Sequence, residues 1–201
     1  MVVRPRENSA QRECERCLGT GPACKTWGKW SFRRQGPNVA WSMDIVSDQT
    51  ASGKRFRTLT VVDLFTRECL AVEPGQSLGG AEVVDVLSRI AMRRGAPKRI
   101  HCDNGSEFAG HLVDLWAYAN GVVMEYSRPG KPTDNAWIES FNGTLRDECL
   151  NVHWFDDLTE ARRKLQAWQR EYNESRPHRS LKELSPQQFK ALWAQRTSEI
   201  H

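Results

Sequence analysis

Two acidic motifs, HCDNGSEF (101–108) and GKPTDNAWIESFNGTLRDE (130–148), decide how this 201-residue sequence is interpreted. Asp103 ends RIHCD, a short segment in which apolar and polar residues alternate as they do in a half-buried strand. Glu139 follows after 35 further residues, in the first or second turn of a segment with helical periodicity. The motifs therefore predict one carboxylate at a strand end and another at the start of a helix.

Asp44, in WSMDIVSD (41–48), is a third acid in a predicted strand. It alternates with Trp41, Met43 and Ile45, so we expect its side chain on the face opposite these large apolar groups. A carboxylate in an otherwise apolar strand costs free energy unless it has a metal ion or a hydrogen-bond partner. The pattern therefore marks Asp44 as a candidate functional residue.

The rest of the chain predicts an α/β fold. Three strand-like segments follow one another and two more are separated by helices, which indicates a five-stranded mixed sheet flanked by helices. The predicted strands are WSMDIV, RFRTLTVVD, ECLAVEP, RIHCD and VVMEYS. The predicted helices span 79–94, 106–121, about 134–150, about 158–172 and a short segment from Ser185.

The helix after the fifth strand has two predicted faces. An apolar stripe is expected to dock on the sheet, and it consists of Trp137, Phe141, Leu145 and Cys149. A different face carries Glu139, Asn142, Gly143 and Arg146. The helix dipole also favours an ionised carboxylate near the helix N-terminus, where Glu139 lies.

Charge and composition divide the chain into three parts. Residues 1–36 hold eight Lys and Arg against three Glu without periodicity, which predicts a flexible basic arm. The arm is either a linker or piece of another domain, or an arm that touches DNA. Residues 37–201 are nearly balanced, with 21 basic and 22 acidic groups. The predicted core with its C-terminal helices spans residues 37–195, and residues 196–201 form a predicted tail.

Hydropathy and cysteine usage indicate a cytoplasmic protein without a membrane partner. No apolar run approaches the roughly 18 residues of a membrane-spanning helix, and the N-terminus lacks the apolar middle of a signal peptide. The six cysteines then predict reduced thiols rather than disulfides. Cys14, Cys17 and Cys24 could supply three zinc ligands, but no His or fourth Cys lies nearby, which favours incidental thiols.

The three acids suit two-metal phosphoryl transfer. Mg²⁺ and Mn²⁺ prefer carboxylate oxygens. Two such ions about 3.5 to 4 Å apart can activate an attacking oxygen and stabilise a leaving oxygen. Asp44, Asp103 and Glu139 could converge at one edge of the sheet to hold them. The alternative is chance, because a chain with 25 acids contains many triples.

Longer motifs point to a known family. HCDNGSEF, SRPGKPTDNAWIESFNGTLRDECL and YNESRPHRSLKELSP strongly resemble the integrase-core transposases of bacterial insertion sequences, from about Pro37 to Phe189. The resemblance implies a ribonuclease H-like fold and a catalytic, metal-binding triad of Asp44, Asp103 and Glu139. It also implies that two Mg²⁺ or Mn²⁺ ions support DNA nicking and strand transfer.

The same resemblance implies DNA contacts. Arg146, seven residues after Glu139, falls where the family carries a basic residue that contacts the element's end. The segment before the helix corresponds to the family's flexible active-site loop. The predicted DNA-binding residues are Arg128, Lys131, Asn135, Asn142 and Arg146. For the loop residues an ordinary solvated loop is the alternative.

Asp63, His101 and His178 are not assigned to the catalytic triad or to DNA binding. Asp63, in VVDLFTRE, lies in a family motif and is predicted to be structural. His101 is expected on the side of Asp103, and a packed core histidine is favoured over a metal contact. His178, in RPHRS, matches a family motif, but the sequence predicts no role for it.

Family members act as multimers on paired DNA ends, so the expected partners are DNA and further copies of the chain. Full-length members carry a helix-turn-helix region ahead of the core, and a separate upstream-frame product supplies part of the DNA recognition. Only about 36 residues precede the core, so N-terminal truncation is expected. One alternative is a non-catalytic truncated remnant that folds and binds DNA or the full transposase. Another is a ribonuclease H-type nuclease.

Overall fold

A computed structural model of the chain describes residues 36–127 and 135–198. Its centre is a sheet of five strands, β1 (Ala40–Gln49), β2 (Arg55–Asp63), β3 (Cys69–Gly75), β4 (Arg99–Cys102) and β5 (Val123–Tyr126). They lie in the order β3-β2-β1-β4-β5. β2 pairs antiparallel with both β1 and β3, whereas β4 is parallel to both β1 and β5. The predicted α/β fold with a mixed five-stranded sheet is confirmed.

The described residues form five α-helices. They are α1 (Gly80–Arg94), α2 (His111–Asn120), α3 (Ala136–Leu145), α4 (Leu158–Glu174) and α5 (Pro186–Ser198). Glycines end the first two, with Gly95 at φ 82° and Gly121 at φ 65°, a backbone region that other residues rarely adopt. Within the described ranges, no helix is long and apolar enough to cross a membrane.

Strand alternation gives the sheet two packed faces. On one face, Trp41, Met43 and Val61 are fully buried in a cluster that also contains residues of α1 and α2. On the other, Val46 and Val62 join a cluster that contains residues of α3 and α4. Asp44 belongs to this second face, because it alternates with Met43 along β1. The helix that carries Glu139 therefore packs on the same side of the sheet as Asp44.

The predicted apolar stripe of α3 is wrong at one position. Trp137 is 39% exposed, and Ile138 is fully buried in its place beside the expected Phe141, Leu145 and Cys149. A strict four-residue repeat drifts around a helix that has 3.6 residues per turn, so the stripe shifts by one residue at its N-terminal end. The shift also buries Asn142, which was expected on a separate face with Glu139.

The α-helix is also shorter than expected. It ends at Leu145, and a π-helical turn (Arg146–Leu150) continues it. In this turn the N–H of Asn151 donates to the Arg146 carbonyl at 2.8 Å, a spacing of five residues. Wider turns of this kind are frequent at functional sites.

Candidate functional site

Asp44 lies in the middle of β1, partly buried beneath α3. Its Oδ1 accepts a 2.7 Å hydrogen bond from the N–H of Ile45, and its Oδ2 accepts a 2.8 Å bond from Nδ2 of Asn142. Burial raises the pKa of Asp44, and the negative charges of Asp103 and, more weakly, Glu139 raise it further. The two hydrogen bonds oppose this rise because they stabilise the carboxylate form.

Asn142 links Asp44 to the neighbouring strand. Its Oδ1 lies 3.0 Å from Oγ1 of Thr60 on β2, and that hydroxyl is also 3.1 Å from the Asp44 carbonyl oxygen. Thr60 and Asp44 are direct partners across the antiparallel pair. Both linking side chains are buried, Thr60 completely. The buried pair of Asn142 and Thr60 therefore contacts Asp44 at both its carboxylate and its backbone carbonyl.

Asp103 directly follows β4 and is exposed. The parallel pairing of β4 with β1, in which His101 is opposite Ser42, brings the end of β4 toward Asp44. Oδ1 of Asp103 accepts a 2.9 Å hydrogen bond from the N–H of Gly105, which turns the chain back. A Cβ on Gly105 would lie only 3.0 Å from the same oxygen, so a larger residue there would displace the Asp103 carboxylate.

Glu139 is exposed near the N-terminus of α3. Asn135, the residue that caps this helix, is buried, and its Oδ1 accepts a 3.0 Å hydrogen bond from Oγ of Ser42. The helix start is therefore attached to β1 two residues before Asp44. This attachment and the Asn142 bond place the Glu139 backbone over the centre of the sheet.

The three predicted carboxylates are close enough for their charges to interact, since both Asp103 and Glu139 raise the pKa of Asp44. Across residues 36–127 and 135–198, however, no three His, Cys, Asp or Glu side chains form a group that could hold a metal ion. The donor chemistry nonetheless fits a hard divalent cation, because carboxylate oxygens are its preferred ligands. A cation there would also relieve the repulsion acting on Asp44.

The predicted DNA-binding residues fall into three groups. Arg128 and Lys131 lie outside the described residues. Arg146 is exposed, and its guanidinium reaches the Ser47 carbonyl oxygen at 3.4 Å. Asn135 and Asn142 are buried and bonded to strand residues. Their DNA contacts stay predictions, and the structure gives both amides partners within the protein.

The structure also shows the surroundings of Asp63 and His101, two further residues that the sequence analysis interprets. Asp63 is fully buried, and its carboxylate accepts hydrogen bonds from the N–H groups of Asn38, Phe65 and Thr66 and pairs with Arg94. It is structural, as predicted. His101 is not packed in the apolar core: its Nε2 lies 3.1 Å from a carboxylate oxygen of Glu125 on β5.

Sequence reasoning missed two groups of residues around the site. Thr60 and Asn142 hold Asp44 in place through hydrogen bonds. The sequence pattern that could have indicated this role was the alternation of the polar Thr58 and Thr60 within an otherwise apolar strand. Arg67 and Trp137 form a second contact beside α3, where the Arg67 guanidinium lies 3.8 Å from the Trp137 ring centre. Nothing in the local pattern connected Arg67 to this helix.

Comparisons with known proteins agree with this architecture. Two family models, each described as an integrase core domain, match residues 34–132 and 120–186. The chain is 48% identical over 155 residues to an insertion element IS407 uncharacterized 31.7 kDa protein of Burkholderia multivorans, covering 77% of this chain and 56% of that protein. It is 28% identical over 166 residues to the transposase for insertion sequence element IS904 of Lactococcus lactis, covering 79% of this chain and 63% of that one.

Solved structures show the same fold. The HTLV-2 integrase catalytic core domain in complex with magnesium, in its trimeric form, matches with a TM-score of 0.62 at 16% sequence identity. The match covers 77% of this chain and 97% of that one. The chain spans about half the length of the first curated relatives it matches, 56% and 45% respectively.

Proposed function

The chain belongs to the integrase core family, and from that premise we propose that it is the catalytic part of an insertion-sequence transposase. In this proposal it nicks DNA at an element end and joins the freed 3′ hydroxyl to another phosphodiester. Asp44, Asp103 and Glu139 are its catalytic residues. The observation that carries the proposal is the partly buried Asp44, whose pKa is raised first by burial and then by the charges of both other acids.

The proposed cofactors are two Mg²⁺ or Mn²⁺ ions. Asp44 would hold both ions, Asp103 one and Glu139 the other. When bound, such ions make the attacking hydroxyl or water more acidic and neutralise charge on the phosphate. The fit to this chain is the donor set. Asp103 and Glu139, on two other elements, lie near the Asp44 carboxylate, whose ionised form is disfavoured by burial and by these two like charges.

The protein's own groups keep the acids in place. Ile45 and Asn142 donate to the Asp44 carboxylate, which favours its ionised form despite burial. The N–H of Gly105 donates to Oδ1 of Asp103 and holds that side chain against the turn. Glu139 is exposed, so its side chain can reorient without disturbing the core. These contacts support a site with two fixed acids and one adjustable acid.

The proposed partners are DNA, further copies of the chain and an upstream-frame DNA-binding product. Arg146 is the proposed DNA contact best supported by its setting, because it is exposed one turn beyond Asn142 and reaches β1 at Ser47. Its guanidinium can donate to phosphate oxygens.

The test is cleavage of a labelled element-end duplex in the presence of Mg²⁺ or Mn²⁺. We expect the wild type to nick the duplex and Glu139→Gln to lose nicking at least roughly 100-fold, the size of effect found when groups that stabilise the transition state are removed. Glu174→Gln, at an exposed acid at the end of α4, is the matched control and should nick like the wild type. Equal nicking by the wild type and Glu139→Gln would overturn the assignment. Cleavage of an RNA·DNA hybrid but not of duplex DNA would favour a ribonuclease H-type nuclease instead.

A further inference from the structure

The contact between Arg67 and Trp137 connects the loop after β2 to the helix that carries Glu139. The guanidinium carbon of Arg67 lies 3.8 Å from the centre of the Trp137 ring, the stacked arrangement in which a cation and an aromatic face attract each other. Trp137 is two residues before Glu139 in the first turn of α3. We infer that Arg67 is a positioning residue that sets the orientation of Glu139 through Trp137. This inference rests on the proposed function for the role of Glu139.

Arg67 is itself held rigidly. It sits in the turn between β2 and β3 with φ 62°, in the left-handed region that a residue with a side chain enters at a cost. Its N–H donates to the Asp63 carbonyl at 2.9 Å, and the buried Asp63 carboxylate accepts from two more N–H groups of the same turn. Arg67 is only 8% exposed. The guanidinium is therefore presented from a fixed point.

The stack adds an attachment at another point of α3. Asn135 bonds to Ser42 on β1, and Asn142 bonds to Asp44 on β1 and to Thr60 on β2. Ile138 is fully buried in the cluster beneath the helix. Arg67, beyond the end of β2, contacts the partly exposed Trp137 of the first turn, and this contact opposes rotation of that turn about the helix axis. Rotation of α3 would move Glu139 toward or away from Asp44.

The charge of Arg67 also acts on two other aromatic residues. Burial lowers the pKa of His178, and the charges of Arg176 and Arg67 lower it further. Burial raises the pKa of Tyr172, and the charges of Arg176 and Arg67 oppose that rise. His178 and Tyr172 pack edge to face, with ring centres 4.9 Å apart. The charge of Arg67 therefore acts on this ring pair, in which His178 belongs to the RPHRS motif.

Two variants remove the stack from opposite sides. Arg67→Asn deletes the guanidinium but keeps a residue that tolerates a left-handed backbone, so the turn is preserved. Trp137→Ala deletes the ring at a position that is 39% exposed, so the core is preserved. Trp137→Tyr keeps an aromatic face for Arg67 and is the conservative variant. Trp154→Ala, at a tryptophan that is 81% exposed elsewhere on the surface, is the matched control.

Hydrogen exchange of the Ala136–Phe141 amides and nicking kinetics are measured on each full-length variant. We expect Arg67→Asn and Trp137→Ala to speed exchange in this turn about tenfold, without changing exchange in α4. Each should lower kcat roughly 10- to 100-fold, with DNA affinity unchanged, because a small misplacement of a catalytic group has effects of this size. The double variant should be no worse than either single one, because both remove the same contact. Trp137→Tyr should restore exchange and kcat to near wild-type values.

Unchanged exchange in Ala136–Phe141, or an equal change in Trp154→Ala, would overturn the inference. So would a loss of kcat in the double variant equal to the product of the two single losses. If the wild type itself fails to nick DNA, the proposed function is lost. The exchange data then still decide whether Arg67 orients α3, so the two failures are distinguishable.

Discussion

Nδ2 of Asn142, on helix α3, donates a 2.8 Å hydrogen bond to Oδ2 of Asp44, in the centre of strand β1. The two residues are 98 positions apart in the chain. Asn142 lies one helical turn after Glu139, so the bond fixes the helix that carries one proposed catalytic acid to the side chain of another. The relative position of the two acids therefore depends on an uncharged residue.

Asn142→Ala should reduce nicking roughly 10- to 100-fold, because Asp44 loses the donor that orients it. It should also lower the free energy of unfolding by about 1–3 kcal/mol, since the partly buried Asp44 Oδ2 loses its hydrogen bond from Asn142. Nicking assays and urea unfolding measure the two effects. Asn151→Ala, at an exposed asparagine just past the π-helical turn, is the control and should change neither. Full activity in Asn142→Ala would show that Asp44 is oriented without it.

Gly105→Ala should reduce nicking about tenfold or more while leaving stability within about 1 kcal/mol of the wild type. The added Cβ would lie 2.9 Å from Oε2 of Glu107 and 3.0 Å from Oδ1 of Asp103. Both oxygens end flexible side chains, so the clash is relieved by moving carboxylates rather than by unfolding the turn. Kinetics and thermal unfolding of the same preparation separate these effects.

Gly80→Ala provides the control for that substitution. Gly80 begins α1, and a Cβ there meets its nearest neighbour at an ordinary 3.7 Å. We expect wild-type nicking and equal or slightly higher stability, because alanine favours the helix. If Gly105→Ala also nicks DNA like the wild type, Asp103 does not need the geometry that its turn imposes.

Local patterns were sufficient to place Asp44 and Asp103. Alternation along WSMDIV places Asp44 on the face opposite Met43, as in the structure. The predicted strand RIHCD ends at Asp103, one residue beyond the observed end of β4 at Cys102. Such patterns work because the two faces of a strand alternate strictly and the apolar face must be buried. The five strands and their mixed pairing followed from the same signal and from the positions of the helices.

The same sequence patterns could not predict the contacts that hold the site in place. Asn142 and Thr60 are 82 positions apart, and their contact exists only after α3 docks on the sheet. Trp137 is expected to be buried because it belongs to a four-residue apolar repeat. A helix with 3.6 residues per turn rotates slightly against that repeat at each turn, and the rotation is enough to bury Ile138 instead. Tertiary packing sets that rotation, so sequence periodicity alone leaves it open.

Leu165→Ala should lower the free energy of unfolding by about 2–5 kcal/mol. Leu165 is fully buried in the cluster that seats α3 and α4 against the sheet, and its removal leaves a cavity. Leu112→Ala, at a leucine that is 51% exposed on α2, should stay within about 0.5 kcal/mol of the wild type. Urea unfolding of both variants checks the difference. Similar losses in the two variants would mean that the α3–α4 cluster is not tightly packed.

The final prediction concerns pH and His178. Burial lowers the pKa of His178 to about 4, and the positive charges of Arg176 and Arg67 act in the same direction. Within the described part of the chain, its buried Nε2 has no hydrogen-bond partner. The unfolded chain binds a proton at this residue near pH 6.5, whereas the folded chain resists doing so until about pH 4. The folded state therefore favours the neutral ring.

The sign of the effect follows from that difference. Stability from the neutral ring is fully present above about pH 6.5 and is lost as the pH falls from there through about 4. His178→Phe keeps a ring against Tyr172 but cannot take up a proton. Between pH 7 and pH 4, the wild type should lose roughly 1–3 kcal/mol more than this variant, measured by urea unfolding at each pH. Parallel stability curves for the two proteins would mean that His178 titrates normally in the fold. Burial of the ring would then not disfavour its protonated form.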